Sequence, residues 1–134
     1  NKVKFALKLF DFIHSVDNKK LAKKIADEEL KQNKKVKIFI QVNIGNENQK
    51  SGVEKENLNK FYDYCKELNL DVIGLMCIPP AETNPNSFFK EMYFLSQELN
   101  LKELSMGMSS DYIDAIENSS TYLRIGSAIF GKRD

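Results

Sequence analysis

Histidine occurs once, cysteine twice and tryptophan not at all in these 134 residues. Cys65 and Cys77 form no Cys-x-x-Cys pair and have no histidine nearby in sequence, so neither a zinc site nor a redox motif is expected. Two reduced, buried thiols are expected instead. Charge of one sign is also lacking in excess: 20 basic and 19 acidic side chains leave a formal net charge of +1. That balance removes any electrostatic reason to expect nucleic acid or an anionic membrane as partner. No apolar run approaches the roughly 18 residues of a membrane span, and no signal-peptide pattern opens the chain. The expected location is the cytoplasm.

The length suits one domain with a real core, and 42% hydrophobic with 29% charged residues is ordinary globular composition. Five segments read as strands buried on both faces: residues 12–16, 36–43, 71–76, 104–108 and 122–126. Helical patterns alternate with them. The first is capped by Asp17 or Asn18 and carries Leu21, Ile25 and Leu30, with alanines at 22 and 26. The second starts near Glu54 and aligns Leu58, Phe61, Tyr62, Cys65 and Leu68. The third starts near Asn86 or Ser87 and presents Phe88, Phe89, Met92, Leu95 and Leu99. A short fourth follows Ser109-Ser110-Asp111. Lysine pairs at 19–20, 23–24 and 34–35 read as solvated helix faces. The opening residues, from Asn1 to Leu7, read as a helix already under way, so a longer protein is expected.

Strand–helix–strand repetition predicts a parallel sheet with right-handed crossovers. The spacing is about 27 residues per unit, near the roughly 31 of a (β/α)8 barrel. A doubly wound sheet should carry a glycine-rich loop after its first strand, and His14-Ser15-Val16-Asp17 has no glycine. The fold class is therefore α/β, a (β/α)8 TIM-type barrel of which about five strands and their helices are present.

In such barrels, chemistry sits at the C-terminal strand ends, and phosphate often binds after the last two strands. Here those ends read Gly107-Met108-Ser109-Ser110-Asp111 and Gly126-Ser127, each before a helical run. Glycine permits close approach, and hydroxyls with helix-terminal N–H groups suit a phosphate dianion; the serines would serve equally as plain helix caps. Arg124 stands inside an apolar strand on Gly126's side, where a charge needs a ligand or a buried carboxylate. His14 ends a strand, and a structural hydrogen bond is its expected role. Met76, Met106 and Met108 are expected to line the barrel interior.

Ser105 to Asp111 with Arg124 to Gly131 resembles the C-terminal signature of the pyridoxal phosphate homeostasis protein family. Three further stretches agree in order: His14 to Asp17, Gln41 to Ile44 running on to Lys50-Ser51-Gly52-Val53, and Gly74 to Pro79. The resemblance implies a barrel like the N-terminal domain of alanine racemase, binding pyridoxal 5′-phosphate as a Schiff base to a lysine. It implies that Ser109, Gly126 and Ser127 hold the phosphate and that Arg124 faces the pyridine nitrogen, with Lys50 near the phenolic oxygen or simply solvated. An arginine there disfavours protonating that nitrogen, which weakens the cofactor as an electron sink.

The family's Schiff-base lysine lies on its first barrel strand, which is expected upstream of residue 1. No catalytic residue is therefore assigned in this chain, and no metal. Relative to the racemase, Ile78 stands where a histidine beside the arginine is expected, and the racemase's tyrosine-bearing second domain has no counterpart in these residues. The implied role is cofactor storage and delivery without efficient catalysis, with pyridoxal-phosphate-dependent apo-enzymes as recipients and a monomer when complete. The alternatives are a pyridoxal-phosphate-dependent amino-acid racemase or lyase and a barrel enzyme for a phosphorylated sugar. Five strands alone would leave open edges, so the isolated segment is expected to aggregate or to join its missing part.

Overall fold

A computed structural model describes residues 2–48 and 51–124. Helix α1 (Lys2–Leu9) leads into β1 (Phe12–Val16), α2 (Lys19–Gln32) and β2 (Lys37–Gln41). A 3-10 turn (Lys55–Asn57) opens α3 (Leu58–Glu67), followed by β3 (Asp71–Met76), α4 (Asn86–Glu98), β4 (Glu103–Met108), α5 (Tyr112–Glu117) and β5 (Tyr122–Arg124). Every strand pair is parallel, and the order in space is the order in sequence, β1-β2-β3-β4-β5. A doubly wound sheet reverses direction at a switch point; a singly wound one does not, and repeated right-handed crossovers then place all helices on one side. Consistent with this, α1 packs on α2, α2 on α3, and α4 on α5.

The sheet is strongly curled. Flat strands lie about 4.8 Å apart, so side chains on β1 and β5 would be roughly 19 Å apart. The rings of Phe12 on β1 and Tyr122 on β5 instead have centroids 5.6 Å apart. This is a parallel half-barrel, the architecture expected from the strand spacing.

Alternation along the strands divides the side chains between two faces. Ile38, Ile40, Leu75, Leu104 and Met106 point into the helix-facing core, where they meet Ala22, Ile25, Phe61, Phe89, Met92 and Ala115. Phe39 and Met76 are equally buried but belong to the concave side.

Local sequence explains most element boundaries. Asn18 caps α2, its Oδ1 accepting the Leu21 N–H at 2.8 Å. Asn33 ends that helix in the left-handed conformation, φ 50°.

Two expectations need correction. Leu30 is not on the buried stripe of α2 but 84% exposed; the buried residues there are Ala22, Ile25, Ala26, Glu28 and Glu29. The carboxylate of Glu29 is drawn inward because it accepts the Val36 N–H at 2.8 Å and pairs with Lys35. Lys34 and Lys35 lie beyond α2 and are not a solvated helix face: Lys34 donates to the carbonyls of Leu7 and Phe10, and Lys35 to that of Asn69.

Candidate functional site

The concave face carries the polar and aromatic groups that the helix-facing core excludes. His14 on β1 stacks on Phe39 of β2, centroids 4.3 Å apart and planes 19° apart, and Tyr122 packs edge-on to both. The Nδ1 of His14 lies 2.8 Å from the hydroxyl of Ser105 on β4, a fully buried side chain. The bond spans three strand intervals and again reports the curl. Partial burial, and then the charge of Arg124, lower the pKa of His14 below its ordinary value. The ring is therefore mainly neutral near pH 7. Its role as a structural hydrogen bonder agrees with the sequence expectation.

Arg124 stands above this layer, at the C-terminal end of β5. Its guanidinium Nη1 is 3.8 Å from the Met76 sulfur. Half-buried, it forms no ion pair with any carboxylate among the described residues. A guanidinium carries five N–H donors, and a thioether is a weak acceptor, so most of that donor set is open to an acceptor from outside the chain. A carboxylate-bearing phosphoester or an aromatic ring nitrogen has the right chemistry to meet it.

The end of β4 is built for close approach. Gly107, its penultimate residue, has φ 104°, and a Cβ there would lie 2.7 Å from the Ala115 Cβ, so the strand end packs tightly against α5. Asp111 occupies the cap position of α5, its carbonyl accepting the Ala115 N–H at 3.1 Å, but its carboxylate turns back to accept the Met108 N–H at 2.7 Å. Half-buried Ser109 and exposed Ser110 are thereby carried to the rim beside the end of β5. Gly126, Ser127 and Lys50 lie outside the described residues.

The rim loops after β1 and β2 are tied together. Asp17 Oδ2 accepts the Gly52 N–H at 2.8 Å, and Val53 bridges to Val42, so two of the sequence stretches singled out above are hydrogen-bonded neighbours. Cys77 is buried just past β3, and burial first, then Asp111, push its thiol up to about 12, with Arg124 opposing. Such a thiol is no nucleophile at neutral pH. Among the described residues, no cluster of three His, Cys, Asp or Glu side chains could hold a metal ion, and no helix is long and apolar enough to cross a membrane.

Of the methionines expected inside the barrel, Met76 meets the Arg124 guanidinium, and Met108 pairs with Arg124 across the β4–β5 ladder. Met106 is buried in the helix-facing core, and Met108 is 41% exposed at the rim. Leu104 and Met106 face the helices and Ser105 the concavity, and the register with β5 shifts between Ser105 and Met108. The side chain against the arginine is thus Met76, whereas Ile78 is 44% exposed. Sequence reasoning also missed Ser105, although a lone hydroxyl in an apolar strand was its signal.

The sequence model of the family described as alanine racemase, N-terminal domain, matches residues 1–134. A pyridoxal phosphate homeostasis protein of Aquifex aeolicus is 43% identical, with 99% of this chain and 63% of that protein aligned. One from Vibrio alginolyticus is 37% identical, with 100% and 61% aligned. The solved structure of PipY from Synechococcus elongatus with PLP bound superposes with a TM-score of 0.89 at 30% identity, covering 98% of this chain and 66% of that one. The chain spans less than two thirds of the length of these relatives. Matched from end to end, and folded as a parallel half-barrel, it belongs to the alanine racemase N-terminal domain family.

Proposed function

We propose that residues 1–134 are the C-terminal part of a single pyridoxal-phosphate-binding (β/α) barrel that stores and delivers its cofactor without efficient catalysis. The observation that carries this reading is Arg124: a half-buried guanidinium on the concave face with no carboxylate partner among the described residues. Leaving such a charge unpaired is costly unless a ligand completes it. Relatives named for pyridoxal phosphate homeostasis, and a PLP-bound PipY at 30% identity, support the cofactor's identity.

Arg124 is assigned to the pyridine nitrogen, and Ser109, Gly126 and Ser127 to the phosphate. When bound, the cofactor supplies an aldehyde for amine chemistry and an electron sink, which a fixed positive charge beside its ring nitrogen weakens. His14 donates no charge: bonded to Ser105 and partly buried, it holds the aromatic layer beneath Arg124 in place. Proton transfer on both faces of a substrate needs two positioned acid–base groups. Among the described residues, His14 on the concave face is already engaged with Ser105, and Cys77, buried in the helix-facing core, stays protonated. These features favour a carrier over a racemase. The recipients we assign are pyridoxal-phosphate-dependent apo-enzymes, and the working state is a monomeric complete barrel. Two buried free thiols, Cys65 and Cys77, suit the reducing cytoplasm.

Mass spectrometry of the ligand that co-purifies with the complete protein, with its absorbance spectrum, tests the reading. One equivalent of pyridoxal 5′-phosphate is expected, with no interconversion of alanine enantiomers above background. A phosphorylated sugar in the site would overturn the cofactor assignment, and rapid racemisation would overturn the carrier role.

A further inference from the structure

Gln41, the last residue of β2, is 8% exposed, and its side-chain amide forms no hydrogen bond among the described residues. Its backbone is fully engaged, the carbonyl accepting the Val53 N–H at 2.8 Å. No buried side-chain N or O atom among the described residues lacks a partner, so the unbonded tip of this otherwise buried side chain is reached from outside the chain. The neighbouring amide makes the contrast: Asn43, 4% exposed, donates to the Glu47 carbonyl at 2.7 Å and accepts the Glu47 N–H at 3.1 Å.

Gln41 opens into a cavity of about 250 Å³ at the C-terminal rim, shared with Asn43, Glu47, Ser51, Ile78 and Pro79. Its walls are held. Gly52, at φ 116°, ties the Ser51 side to Asp17, and a Cβ on Gly45 would meet Pro80 Cγ at 2.3 Å, so the opposite loop lies tight against the proline. The space is ample for a small polar ligand group. Glu47 is the only charged side chain among the described lining residues. The Asn43 clamp uses only its backbone, which leaves the carboxylate for a ligand. In register, Gln41 sits beside Met76, the residue in contact with Arg124, so the cavity adjoins the cofactor region.

We propose that this cavity is a subsite for a primary ammonium group, presented by a free amino acid or by the lysine side chain of a partner protein. The Gln41 carbonyl oxygen and the Glu47 carboxylate accept its hydrogen bonds, with the Ser51 hydroxyl in reach of the rest of the ligand. The inference rests on the proposed function for the source of the amine, since a carrier of an aldehyde must exchange it with amines; the cavity and its idle amide do not depend on it.

The test is ¹⁵N NMR of the cofactor-free protein, following the Gln41 side-chain amide and the Asn43 and Ser51 backbone amides. The probes are L-alanine, Nα-acetyl-lysine amide, its uncharged analogue Nα-acetyl-norleucine amide, and acetate. Saturable shifts are expected with at least one of the two amines and with neither control. Glu47→Gln, which leaves the backbone clamp intact, should weaken amine binding about tenfold, as loss of one charge-assisted bond does. Gln41→Leu should weaken it similarly, read at Asn43 and Ser51 in a protein whose spectrum stays dispersed. Saturation by alanine alone identifies a free amino acid, and saturation by the lysine derivative alone identifies a partner's lysine. Equal binding of the norleucine analogue, no saturation by either amine, or an unchanged affinity in Glu47→Gln overturns the subsite. Pyridoxal phosphate uptake is measured on the same sample: its failure with amine binding intact overturns the carrier reading and leaves the subsite standing.

Discussion

The two faces of this one sheet follow different rules. Toward the helices, Ile38, Ile40, Leu75 and Leu104 are aliphatic, at most 2% exposed, and interlocked with α2 to α5. Toward the concavity, the same strands present His14, Phe39, Gln41, Met76, Ser105, Tyr122 and Arg124, a set of three rings, an amide, a hydroxyl, a thioether and a guanidinium. The helix-facing side is interchangeable hydrocarbon selected for volume. The concave side is specific chemistry, part of it left unsatisfied. Stability should therefore reside on one face and ligand affinity on the other.

The largest effect that could break this division is a cavity in the aliphatic face. Ile40→Ala should cost about 2–5 kcal/mol in denaturant unfolding; a loss below about 1 kcal/mol would show that the helix layer does not carry the fold. Gly107→Ala comes next. Its φ of 104° and the 2.7 Å approach to Ala115 predict a loss of about 1–3 kcal/mol, together with weaker phosphate binding because the rim turn shifts. Arg124→Leu sharpens the contrast in the opposite sense. Pyridoxal phosphate affinity should drop at least about tenfold, about 1.4 kcal/mol, while the ligand-free protein loses no stability. A destabilised Arg124→Leu protein with unchanged affinity would reverse the assignment.

The smallest effect is a pH dependence. Because the pKa of His14 is lowered in the folded state, the unfolded chain takes up that proton first as pH falls. The histidine's contribution is intact above its unfolded value near 6.5 and is lost as pH drops from there through the folded value. Thermal unfolding at pH 5 should come earlier than at pH 7.5, and His14→Gln should flatten the difference.

The legibility of the sequence differs between the faces in the same way. β1 and β3 were readable to the residue because continuous apolar runs between turn residues mark buried parallel strands, and Asn18 announced the start of α2. Leu30 was misplaced because periodicity cannot see that Glu29 is drawn in by the Val36 N–H. On the concave side, Arg124 was conspicuous as a charge within a strand. Its contact with the Met76 sulfur was not foreseen, and Met106 was put on the concave side although alternation with Ser105 turns it toward the helices. The His14–Ser105 bond joins residues 91 positions apart, which no local pattern encodes.

The ring cluster of Phe12, Phe39 and Tyr122 has one more implication. Bridging from β1 to β5 of the half-barrel, it forms a floor beneath Arg124. A ligand that docks on Arg124 above this floor meets the strand-end loops, so its exchange should respond to changes in those loops more than to changes in the packing below them.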